Sequence, residues 1–145
     1  RDPDSRQAAG GSPERQPSKA TEAGTTPARG IDHLAQRLRA FAEDRDWEQF
    51  HSPKNISMAL AAEAGELLEL FQWITDEESR SVASDPAQRQ RVEEELADIL
   101  VYLVRIADQL DIDLLAAARR KIESNAAKYP VDKVLGSSKK YTEYQ

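Results

Sequence analysis

The chain has 145 residues, 39% of them hydrophobic and 32% charged, with a formal net charge of −6 and no cysteine. That length suits one domain, with or without a tail, and is enough to bury a core. The acidic balance argues against non-specific nucleic-acid binding, and the lack of cysteine excludes disulfides, thiolate nucleophiles and zinc–thiolate sites together.

Residues 1–30 hold four of the seven prolines and four of the six glycines, and contain no Ile, Leu, Val, Phe, Tyr or Trp. Such a segment cannot bury enough apolar surface to offset its ordering entropy, so a disordered tail is expected. The opening Arg1-Asp2-Pro3-Asp4 does not read as a signal peptide, and no apolar run approaches the roughly 18–20 residues of a membrane span. A cytoplasmic protein with neither membrane nor nucleic acid as partner is therefore expected.

From Ile31 the pattern changes. Ile31, Leu34, Leu38 and Phe41 recur at helical spacing, which predicts a first amphipathic helix from about Ile31 to Arg45. Trp47-Glu48-Gln49-Phe50-His51 forms a connection. Ser52-Pro53 then starts a second helix, because serine can cap free N–H groups and proline in the first turn sacrifices no hydrogen bond. Ile56, Leu60, Leu67, Phe71 and Ile74 form its apolar stripe. Thr75 to Ser84 is polar and aperiodic and reads as a loop, after which Asp85-Pro86 starts a third helix with Val92, Leu96, Ile99, Leu103, Ile106 and Leu110 as its buried face. Asp113 caps a fourth, with Leu114, Leu115, Ala118 and Ile122 inward, ending near Tyr129-Pro130 because proline biases its predecessor out of helix. Residues 131–145 read as irregular. No alternating strand pattern or internal repeat is present, so the expected architecture is all-α: a four-helix bundle-like domain over 31–130 between the tail and the C-terminal segment.

Two carboxylate pairs stand out. Glu63 and Glu66 are three apart on the second helix, Glu95 and Asp98 three apart on the third, so each pair shares a helix face. Glu63 lies between Leu60 and Leu67, and Glu95 between Val92 and Ile99, on the stripes expected to be buried. Ionised carboxylates along an apolar seam are unfavourable unless neutralised, and a hard divalent cation such as Mg²⁺ is the natural partner of an all-oxygen cluster. Glu69, Glu93 and Glu94 read instead as solvated faces.

Charge is also segregated: residues 63–98 carry eleven acidic and three basic side chains, residues 119–140 seven basic and two acidic. An acidic metal site facing a basic segment suits a polyphosphate, and Lys121 and Asn125, four apart, can point together at one. Trp47 and Trp73 flank the second helix and Tyr102 lies one turn beyond Asp98, which suggests a nucleobase pocket. Glu48-x-x-His51 imitates a di-iron ligand motif, but that fold needs two copies and only one is present. His33 has no such partner.

Taken together, Arg45-Asp46-Trp47-Glu48-Gln49-Phe50-His51, Glu63-x-x-Glu66, Phe71-Gln72-Trp73, Glu95-x-x-Asp98 and Lys121-x-x-x-Asn125-x-x-Lys128-Tyr129-Pro130 resemble the dCTP pyrophosphatase branch of the MazG-like all-α nucleoside triphosphate pyrophosphatases. The similarity covers about residues 31–145. It implies that Glu63, Glu66, Glu95 and Asp98 hold Mg²⁺, that Trp47 and Trp73 enclose a cytosine, and that Tyr102, Lys121 and Asn125 contact sugar or phosphates. A homotetramer built as a pair of dimers, with sites assembled from neighbouring subunits, is also implied. Mammalian members place a histidine near the base where this chain has Leu38, so their preference for modified cytosines does not carry over. The expected reaction is attack of water on the α-phosphorus of dCTP or a modified dCTP, with Glu63 or Glu66 as base and Lys121 stabilising phosphate charge. Hydrolysis of dUTP or a wider nucleotide range, and a non-catalytic helical oligomerisation module, are the alternatives.

Overall fold

The computed structural model describes residues 30–143 and is helical, with no strand among them. The expected tail, apart from Gly30, lies outside the described residues. Four long helices match the four expected: α1 (Ile31–Glu43), α2 (Pro53–Phe71), α4 (Pro86–Gln109) and α5 (Leu114–Lys128). Between α2 and α4 lies a short α3 (Asp76–Ser81) followed by a 3₁₀ turn at Val82–Ser84, and after α5 come α6 (Val131–Val134) and a 3₁₀ turn at Tyr141–Glu143.

The expected helix starts are present. Ser52 Oγ accepts from the Asn55 N–H at 3.2 Å, Asp85 from Ala87 at 2.9 Å, and Asp113 from Ala116 at 2.8 Å, with Pro53 and Pro86 in the first turns. The reading of Thr75–Ser84 as a loop is corrected. Thr75 and Glu78 form a reciprocal capping box, in which Thr75 Oγ1 accepts from the Glu78 N–H at 3.2 Å and Glu78 Oε2 from the Thr75 N–H at 2.7 Å. That pair satisfies the donors of a helix too short to show apolar periodicity. Likewise, the segment after Pro130 is not wholly irregular, since α6 and the last 3₁₀ turn occupy part of it.

Helix α1 ends two residues earlier than expected, at Glu43. Asp46 adopts a left-handed backbone, φ 54°, and the Trp47 N–H reaches back to the Ala42 carbonyl at 2.9 Å. This closure satisfies carbonyls left over at the helix end and folds Trp47 onto the last turn of α1. Asp111, φ 52°, does the same after α4, where the Ile112 N–H meets the Ala107 carbonyl at 2.9 Å.

α4 is the spine: α2 packs along it, and α1 packs against it as well. Among the described residues, Ile56, Ala42, Val104 and Ala107 are the buried apolar ones, and Arg105 is buried with them. The expected burial of α4 holds only in part, because Leu96, Leu103 and Leu110 are exposed while Val92, Ile99 and Ile106 face the packed side. Helix α5 departs further from expectation. It shares no comparable packing with the other helices, and Ala118 and Ile122, expected to face inward, are exposed, Ile122 at 68%. Only its start meets the rest of the chain, where Leu114 and Leu115 line a cavity with Val104 and Ala107 of α4, and the apolar side beyond is left uncovered.

Candidate active site

The pairing of α2 with α4 brings the two carboxylate motifs together. Glu63 and Glu95 are half-buried on the facing stripes, Glu66 is exposed one turn along, and oxygen atoms of all three lie within 4.8 Å of one another. Asp98 is not part of that tight group. Its charge is nevertheless felt there: burial, then Glu66, Asp98 and Glu95 in that order, raise the Glu63 carboxyl above its ordinary value. Glu95 is raised by burial, then by Glu66, Asp98 and Glu94, with Arg91 opposing. The Glu95 Oε2 atom is buried with no hydrogen-bond partner. Converging like charges with a desolvated, unpartnered oxygen are the conditions under which a hard cation is favoured, and three or four carboxylates suit Mg²⁺ or another oxygen-loving divalent ion.

Beside this cluster is a cavity of about 300 Å³ lined by Leu38, Phe41, Trp47, His51, Asp98, Val101, Tyr102 and Arg105. Its walls come from three places. α1 supplies Leu38 and Phe41, the connection to α2 supplies Trp47 and His51, and α4 supplies the remainder. The Trp47 ring is held edge-on between Phe41, 5.7 Å away, and His51, 6.0 Å away, and the Arg45 guanidinium covers the Phe41 ring at 3.6 Å. The connection itself is tied to α4 twice, by Glu48 pairing with Arg105 and by Gln109 donating to the His51 carbonyl. Aromatic walls held by such anchors form a preorganised slot for a flat ring.

Asp98 belongs to both places, lining the cavity while acting on the carboxylates. Of the other residues singled out in the sequence, Trp47 and Tyr102 line the cavity. Trp73 does not, and stands 87% exposed just beyond α2. Lys121 and Asn125 lie on exposed positions of α5 and do not line the cavity, and Lys121 is not among the charges acting on Glu63 or Glu95. Four cavity residues, Phe41, His51, Val101 and Arg105, were not assigned to a site from sequence. Phe41 read as core, His51 as half of a false di-iron motif, and neither Val101 nor Arg105 was weighed. A signal for Arg105 was present: Asp98, Val101, Tyr102 and Arg105 follow i, i+3, i+4, i+7 and share one face of α4.

A family model described as the MazG-like family matches residues 58–144. The chain is 50% identical over 109 residues to dCTP pyrophosphatase 1 of Bos taurus and 48% identical over 109 residues to that of Homo sapiens. Each match takes in 74% of this chain and 64% of the relative, so the chain spans just under two thirds of the length of these curated relatives. Among solved structures, a pyrophosphatase from Archaeoglobus fulgidus superposes with a TM-score of 0.65 at 38% identity, covering 71% of this chain and 94% of that one.

Proposed function

The chain belongs to the MazG-like family, and we propose that within it the protein is a Mg²⁺-dependent nucleoside triphosphate pyrophosphohydrolase that converts dCTP, or a modified dCTP, to dCMP and pyrophosphate. The observation that carries this reading is the adjacency of the Glu63/Glu66/Glu95 cluster and the Trp47–Tyr102 cavity, with Asp98 common to both. A nucleotide has a flat ring at one end and a charged chain at the other, and this pair of features matches that polarity. The printed names of the curated relatives, and a similar structure that is itself a pyrophosphatase, point the same way.

Glu63, Glu66, Glu95 and Asp98 would hold the metal. When bound, Mg²⁺ would supply neutralisation of the triphosphate charge and polarisation at the phosphorus under attack. The chain's own residues do the rest. Trp47 and Tyr102 fix the base and so place the α-phosphorus next to α2. Glu63 or Glu66 takes a proton from water as its oxygen bonds to the α-phosphorus. The bond from that phosphorus to the bridging oxygen breaks, and pyrophosphate leaves with the electron pair.

Trp73, Lys121 and Asn125 complete the site from a neighbouring copy in this reading, with the basic stretch of α5 stabilising the phosphates. The exposure of Trp73, Leu68, Leu96, Leu100, Leu110 and Ile122 supports an interface with further copies, and the family resemblance makes that assembly a homotetramer, a dimer of dimers. No helix among the described residues is long and apolar enough to cross a membrane, and we assign the reaction to the cytoplasmic nucleotide pool.

The test is pyrophosphate release from a panel of deoxynucleoside triphosphates with and without Mg²⁺. Release should be greatest for dCTP and require the metal, and Glu95→Gln should lower it at least about 100-fold with the helices intact by circular dichroism. Equal turnover of all the triphosphates would favour a broad-range hydrolase, and full activity of Glu95→Gln would remove the cluster from the reaction.

A further inference from the structure

Arg105 is the buried charged side chain among the described residues, only 4% exposed, and it lines the cavity with Trp47 and Asp98. Its guanidinium is fixed from two sides. One terminal nitrogen pairs with Glu48, and the other lies 3.4 Å from Asp108 Oδ2. Asp108 is itself clamped by Arg39 at 2.5 and 3.2 Å. The third nitrogen, Nε, is buried and has no hydrogen-bond partner. A buried donor without an acceptor is unfavourable, and a native structure that keeps one calls for an explanation.

The guanidinium offers only donors, and it does not deprotonate in proteins. Asp98 offers acceptors when ionised. The two stand seven residues apart on one face of α4, about 10 Å along the axis, with Val101 and Tyr102 between them, and all four line the cavity. Such a slot presents one acceptor and one donor to whatever lies in it. The 4-amino group and N3 of cytosine are a donor beside an acceptor and complement that pair. Uracil and thymine present the reverse, with an N3–H that a guanidinium cannot accept.

Resting on the proposed function for the identity of the pocket, we propose that Arg105 is a specificity-determining residue whose free Nε–H donates to N3 of the cytosine base. Its pairs with Glu48 and Asp108 lock the planar group in place. The Nε–H thus acts as a fixed donor that admits aminopyrimidines and rejects bases carrying a proton on N3.

Calorimetric titration of the full chain with dCMP, dUMP and 3-deaza-dCMP, in which N3 is replaced by C–H, tests this without requiring turnover. The wild type should bind dCMP about tenfold or more tightly than either of the others. Arg105→Lys keeps the charge and loses the planar donor, so it should bring all three ligands within about threefold of one another. Glu48→Gln weakens the anchoring pair and leaves Nε–H in place, so it should keep the wild-type order. Equal binding of dCMP and 3-deaza-dCMP by the wild type overturns the assignment, and that comparison needs no variant to fold. Unchanged ratios in Arg105→Lys, or a collapse in Glu48→Gln as complete as in Arg105→Lys, overturn it too. The latter would give Arg105 only a role in tying the connection to α4. A preserved dCMP preference without pyrophosphate release from dCTP would sink the hydrolase and leave this assignment standing.

Discussion

At the scale of single residues, the carboxylate cluster sets a sign for stability against pH. Glu63 and Glu95 have folded-state carboxyls raised above their ordinary values, burial being the first cause in each. The folded chain therefore holds their protons to higher pH than the unfolded chain does. Their contribution to stability falls as pH rises from the ordinary carboxylate range through the raised folded values, and the penalty persists above them. Glu78 runs the other way. The Thr75 cap lowers its carboxyl, so its contribution is lost as pH falls. Comparing the metal-free wild type with Glu95→Gln isolates the cluster. The melting temperature of Glu95→Gln should exceed that of the wild type at pH 7 by more than at pH 4, and saturating Mg²⁺ should raise the wild type alone. A difference independent of pH would mean that Glu95 does not suffer the burial and repulsion described. Both carboxylates could be picked out beforehand because each interrupts an aliphatic stripe, a pattern that local sequence displays in full. His51 could not be assigned in that way, and for Arg105 the helical spacing gave only its shared face with Asp98 and Tyr102. Their roles depend on Glu48 and Trp47, more than fifty positions from Arg105, and on a chain reversal that no periodicity encodes.

At the scale of elements, the segment between α1 and α2 governs the pocket. Asp46, in the left-handed region, ends α1 and turns Trp47 back against Phe41, while its side chain accepts from Gln49 at 2.8 Å. Asparagine tolerates that backbone nearly as well, whereas a β-branched residue there is strained by roughly 1–2 kcal/mol. Asp46→Asn should thus melt within a few degrees of the wild type, whereas Asp46→Val should lose about 1–2 kcal/mol in urea unfolding and bind dCMP more weakly. Equal binding by both variants would show that the turn does not place the tryptophan wall. Helix starts were readable from Ser52-Pro53, Asp85-Pro86 and Asp113, because capping is a property of a few adjacent residues. The same rule, applied to Thr75-x-x-Glu78, would have found α3. The lack of an apolar stripe hid it, since a six-residue helix stabilised at its start has little need of one.

At the scale of the whole molecule, the single chain is under-covered. Fifteen large hydrophobic residues are exposed among those described, including Trp73 at 87%, Leu135 at 86% and Ile122 at 68%, against four buried apolar ones. Surface of that kind normally lies in an interface. Light scattering should give a mass near four times the 16.2 kDa of one chain. Leu100→Glu, which places a charge on the exposed side of α4, should reduce that mass and abolish turnover. A monomer with full activity would show that Trp73, Lys121 and Asn125 are not needed from a second copy. The helical periodicity of α5 foretold that an apolar face exists. It could not say whether that face meets this chain or another, because the same pattern serves both.

Asp98 lines the cavity and acts through its charge on Glu63 and Glu95, and the consequence is reciprocity. A base that settles against this carboxylate changes the potential at Glu63 and Glu95, and a cation drawn to those residues changes how Asp98 meets a base. By linkage, each occupant alters the other's affinity by the same factor. In the proposed function, nucleobase preference and ion affinity would be two readings of one negative charge, so Asp98→Asn should shift both together.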